Sequence, residues 1–109
     1  MLLHDSVWVL PATAQTRERF QWLASEIVES GGEATIWDAE MTDSRQRAEL
    51  VKTFTAQSEA AYDEILTQLR RKNPDLPSLA RRYQQAVAQD YFRSKLGEKV
   101  RKTLLAKGE

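Results

Sequence analysis

Apolar residues first gather at Val7-Trp8-Val9-Leu10, where β-branched and aromatic side chains run up to Pro11. Such a run favours a strand, and proline, with no amide to give to a ladder, closes it, so residues 6–10 are predicted as a strand. Phe20, Leu23, Ala24, Ile27 and Val28 then recur at i, i+3, i+4, i+7 and i+8, one face of an α-helix. Thr13 or Thr16 is placed to cap that helix and Gly31-Gly32 to stop it. Alternation through Glu33-Ala34-Thr35-Ile36-Trp37-Asp38 predicts a second strand and completes a β-α-β unit. Trp22 lies about 200° round the helix from Phe20, away from the stripe that would face a sheet. It is expected either to be covered by a neighbouring helix or to meet a partner, where tryptophan is enriched.

The pattern changes after Met41. Thr42-Asp43-Ser44 offers caps for a long helix to about Lys72, with Leu50, Val51, Phe54, Ala61, Ile65 and Leu69 along one side. Gln57-Ser58 interrupts that stripe, so its burial is expected to break there. Asn73-Pro74-Asp75-Leu76-Pro77 ends the helix, because each proline disfavours α geometry in the residue before it. Ser78 is the expected cap of a second helix carrying Leu79, Tyr83, Ala86, Val87 and Asp90. Phe92, Leu96, Val100 and Leu104 follow at every fourth position, with Gly97 as the weak point of that segment. The pattern divides the chain into a β-α-β module over residues 1–41 and a helical hairpin over 42–109, an extension of the same domain.

Composition narrows the chemistry. At 109 residues, 41% apolar and 29% charged, the chain has the balance of one small folded domain rather than of disorder. With no Cys and one His it lacks a disulfide framework, a thiolate nucleophile and a His-rich metal site, so no cofactor is expected. No run of about 18 apolar residues and no signal segment appears, which predicts a cytosolic protein that does not enter a membrane. Asp63-Glu64 and the pair Glu26 and Glu29 fall on helix surfaces, no glycine-rich phosphate loop follows either strand, and His4 is expected to be an exposed terminal residue; no enzyme is predicted.

The zero net charge conceals segregation. Up to Leu69 there are 5 basic and 12 acidic residues, and beyond it 11 basic and 4 acidic. Arg70-Arg71-Lys72, Arg81-Arg82, Arg93 with Lys95, and Lys99 with Arg101-Lys102 can share one side of a helical hairpin. Arginine grips phosphate or another oxyanion with two parallel hydrogen bonds, and a helix start at Ser78 would add a favourable dipole. Arg70, Arg71, Lys72, Arg81 and Arg82 are therefore the candidate DNA- or anion-binding residues. The competing reading is a solvated face, or attraction between the acidic and basic parts of the chain.

Leu3-His4-Asp5-Ser6-Val7-Trp8-Val9-Leu10-Pro11, Trp22-Leu23-Ala24-Ser25-Glu26-Ile27, Gly31-Gly32-Glu33-Ala34, Phe54-Thr55, Glu59-Ala60-Ala61-Tyr62 and Asp90-Tyr91-Phe92 occur in an order and spacing that resembles the N-terminal domain of the ChrB family of chromate-resistance regulatory proteins. The likeness covers nearly the whole chain, and a more distant one joins it to the regulatory domain of the PaaX type of repressor. The resemblance implies an α+β fold, a partial ferredoxin-like β-α-β unit followed by a long helical hairpin, in a repressor of a chromate-efflux operon that releases when chromate is present. It also implies a preceding strand and helix and a following C-terminal domain. The strand between the two predicted here would then be missing, and the expectation is an N-terminally truncated form with family-like codons upstream of Met1. Otherwise the two strands pair directly, or a second copy supplies the edge. Operator DNA and chromate as effector are the partners the resemblance implies, and a homo-oligomer is the partner that the vacant strand position would call for. The rival class is a protein-interaction module that docks a partner through the helical hairpin and Trp22 without touching DNA.

Overall fold

Strand β2 (Val7–Trp8) finds its partner in the residues just before it. In the computed structural model, which describes residues 2–4 and 7–108, β1 (Leu2–His4) pairs with it antiparallel, Leu2 opposite Trp8 and His4 opposite Val7, with an irregularity between Leu2 and His4. The predicted strand at 6–10 is thus shortened to two residues, and Ser6 lies outside the described residues. Helix α1 (Ala14–Glu29) follows. Thr13 caps it: the Thr13 hydroxyl accepts from the Thr16 amide at 3.1 Å, and Thr16 Oγ1 accepts from the Thr13 amide at 3.0 Å. The buried Thr16 hydroxyl also donates to the Pro11 carbonyl, fixing the chain that enters the helix. Ser30 closes α1, and Gly31 turns the chain with φ of 90°, a conformation that a Cβ makes costly.

The second strand, predicted over residues 33–38, does not form; residues 32–43 belong to no helix or strand. Alternation sets which way side chains point but supplies no neighbour for the backbone, and a strand exists only with a ladder. Local polar contacts hold this stretch instead. Asp38 Oδ1 lies 3.2 Å from Arg17 Nε, and Trp37 Nε1 donates to Thr35 Oγ1 at 3.2 Å. The α+β, partial ferredoxin-like reading is therefore corrected: the protein is mostly helical, with four helices and one short antiparallel ladder among the described residues. With no sheet beneath it, the α1 stripe stays open, Leu23 at 47% exposure and Val28 at 58%.

Residues 1–42 and 43–109 form two compact units. The second is built from α2 (Ser44–Leu69), α3 (Leu76–Gln89) and α4 (Lys95–Lys107). Each of these helices packs on the other two, so the predicted two-helix hairpin is a three-helix unit. Tyr62, Leu69 and Val100 are fully enclosed at its centre, surrounded by Ile65, Leu66, Leu79 and Ala86. The predicted break at Gln57-Ser58 does not occur: Ser58 is 7% exposed and continues the buried side of α2 between Phe54 and Tyr62. Beyond it the Phe54 ring meets Tyr91 edge-on at 5.8 Å between centroids and Phe92 at 6.1 Å.

Candidate nucleic-acid interface

The end of α2 places three of the predicted cations. Arg70 caps the helix with its amide donating to the Leu66 carbonyl, and Arg71 and Lys72 continue into the turn; all three are exposed. Asn73 takes a left-handed φ of 58° and lets the chain reverse into α3, a role that asparagine fills more readily than most residues. Cations here also offset the negative end of the α2 dipole, so their position has a structural return as well as a surface one.

Helix α3 carries the other two predicted residues, both exposed. Arg82 Nη1 lies 3.6 Å from Glu64 Oε1 on α2, which sets the level at which the two helices run side by side. Glu64 is six residues before Arg70, about 9 Å along the axis, so the five cations gather toward one end of the α2–α3 pair. They are unequal: Arg82 already faces a carboxylate, whereas Arg81 has no ion pair among the described residues. The Arg82–Glu64 pair crosses a shallow groove of about 310 Å³ lined also by Ala61, Ile65, Gln85 and Ala86.

An anion site at the start of α3 is not available in the form predicted. Asp75, not Ser78, is the cap, and its Oδ1 accepts from the Ser78 amide at 3.3 Å. A carboxylate of the chain itself thus occupies the positive end of the helix. On α4, Arg101 forks onto Glu98, with Nε 3.1 Å from both carboxylate oxygens. Those hydrogen bonds hold the exposed Glu98 carboxyl below its usual range.

The geometry that holds these helices in place escaped the reading of the sequence. The Tyr62 hydroxyl donates to Asp90 Oδ2 at 2.9 Å, and the Asp90 carboxylate accepts from the Ser94 amide at 2.9 and 3.0 Å. Asp90 closes α3 and Ser94 opens α4, so one tyrosine on α2 ties all three helices. Burial, then the Asp90 hydrogen bond, hold the Tyr62 phenol well above its usual range. A tyrosine beside Ile65 and Leu69 was the available signal, because a buried phenol needs a partner for its O–H.

In the first unit Trp22 is 67% exposed, so no helix of that unit covers it, and of the two expected fates contact with a partner stays open. The His4 side chain lies outside what the structure describes. Among the described residues no three His, Asp or Glu side chains are grouped to hold a metal ion, and no helix is long and apolar enough to cross a membrane.

The family model described as Protein ChrB, N-terminal, matches residues 1–78. It takes in α1, all of α2 and the first residues of α3, and stops before Asp90-Tyr91-Phe92. No curated protein and no solved structure matches the chain.

Proposed function

The chain belongs to the ChrB N-terminal family, and from that premise we propose that it acts in chromate-responsive control of transcription, holding operator DNA through cations of the helical unit. Family membership carries the reading; the charge distribution supports it. Residues 43–109 contain 14 basic and 9 acidic side chains, whereas residues 1–42 contain 2 and 7. Arg70, Arg71, Lys72 and Arg81 are exposed, as contacts to a phosphate backbone require, and Arg81 stands on α3. The action is binding rather than catalysis, in the cytosol, and chromate lowers the affinity for DNA.

Fluorescence anisotropy on a labelled duplex from a chromate-efflux promoter tests this. Binding is expected to weaken steeply from about 50 to 200 mM salt, because each neutralised phosphate adds about 0.9 to the logarithmic slope. Replacing Arg71 or Arg81 with Ala should lower affinity and reduce the slope by about one each. Chromate at the same ionic strength should release the duplex, with sulfate as the control dianion. Binding that ignores salt and both substitutions would leave the second reading, a protein-interaction module, which the 67% exposure of Trp22 favours.

A further inference from the structure

We propose that α1 is the contact surface of a homodimer, in which a second copy of the chain lies antiparallel against its apolar face about a two-fold axis at Leu23. The helix is well made, capped at both ends, yet Leu23 and Ile27 lie open on one side of it, with the half-buried Phe20 beside them. Contiguous apolar exposure of this kind marks a contact surface rather than scattered surface residues.

The charges beside the stripe select the occupant. At 100° per residue, with Leu23 at the centre, Ile27 and Phe20 stand about 40° and 60° to one side, and Arg19 and Glu26 about 40° and 60° to the other. A two-fold axis perpendicular to the helix brings each edge against itself with its direction reversed. Arg19, about 6 Å before Leu23 along the axis, then comes level with the partner's Glu26, about 4.5 Å beyond the partner's Leu23. Phe20 meets the partner's Ile27 on the opposite edge, and Leu23 meets its own copy. A parallel two-fold arrangement would instead set the charged edge against the apolar one, Arg19 beside the partner's Phe20 and Glu26 beside the partner's Ile27, with no charge answered.

Among the described residues nothing satisfies these two charges. Arg19 and Glu26 are seven residues apart, about 10 Å along α1, beyond the reach of an i, i+4 pair. Neither has an ion pair among the described residues, while the nearby Arg17 is already engaged by Asp38. The face is thus apolar at its centre and complementary in charge to itself when reversed, which is what an isologous contact requires.

Sedimentation velocity of the full chain without DNA, over a roughly hundredfold concentration range, tests the assignment. The mass is expected to rise from 12.5 kDa toward twice that value. Leu23→Asp, which sets two carboxylates face to face on the axis, should keep the chain monomeric. Arg19→Glu and Glu26→Arg should each weaken association about tenfold, and the double variant, which restores both pairs with their polarity exchanged, should recover it. All of these side chains are exposed, so circular dichroism should report unchanged helix content. An unchanged chain that stays monomeric throughout, a Leu23→Asp variant that still dimerises, or a double variant no better than either single one overturns the proposal.

Discussion

A methyl group at Gly97 would stand 2.8 Å from Cζ of the Tyr62 ring. Alanine ordinarily stabilises a helix by about 0.5–1 kcal/mol relative to glycine. Overpacking a closed core costs about 1–3 kcal/mol, and the enclosed Tyr62 ring cannot swing aside, so the clash outweighs the gain in helix propensity. Gly97→Ala should therefore lower the melting temperature in calorimetry. Tyr62 itself gives a pH signature. Its phenol titrates above the unfolded value of about 10, so the stability it contributes is fully present below about pH 10 and is lost as pH rises beyond it, by up to about 1.4 kcal/mol per pH unit. Tyr62→Phe, which takes one donor from the Asp90 carboxylate and leaves it the Ser94 amide, should cost about 1–2 kcal/mol at neutral pH. In denaturant titrations above about pH 10 that variant should lose stability less steeply than the unchanged chain; equal slopes would mean that Tyr62 ionises freely in the fold.

Among the elements, α1 depends on its start. Thr13→Ala removes one arm of the capping box and should destabilise α1 by about 1 kcal/mol, seen as faster amide exchange in its first turn. Between α2 and α3, Glu64→Gln should release Arg82 to the groove and raise DNA affinity at low salt about twofold, an increase that Arg82→Ala should abolish. The helices were legible in the sequence because their spacing, caps and breakers agreed: Thr13, Gly31 and the Pro74–Pro77 stretch all act where the pattern placed them. The strand at 33–38 was misread because alternation reports side-chain direction and not whether a partner strand exists. Ser58 was misread because a small hydroxyl fits inside a helix contact that a count of apolar residues treats as broken. Asp75 was passed over for Ser78, although both are cap residues, because the helix begins at Leu76 and takes in Pro77 near its start.

At the scale of the whole molecule, the neutral chain joins an acidic unit to a basic one. The candidate cations were legible as runs, since charge is written directly in the sequence; which of them is already answered was not, because the Glu64–Arg82 pair depends on the register of two helices. Burial is just as uneven. Phe54, Tyr62, Ile65, Leu66, Leu69, Leu79, Ala86 and Val100 all lie in residues 43–109, whereas Thr16 is the one buried side chain among the described residues of 1–42. Hydrogen exchange in dilute solution should accordingly be slow through the centres of α2 and α4 and fast in α1.

The tie from Tyr62 to Asp90 reaches twelve residues past the point where the family match stops. Heredity and folding thus draw their borders in different places. A piece ending at Ser78 would keep every residue that the family model matches and still lose Leu79, Ala86 and Val100 from the core, leaving the apolar side of α2 without the helices that pack on it. A gene fragment chosen by the family boundary should give an aggregating product, while residues 43–108 alone should melt in one sharp step.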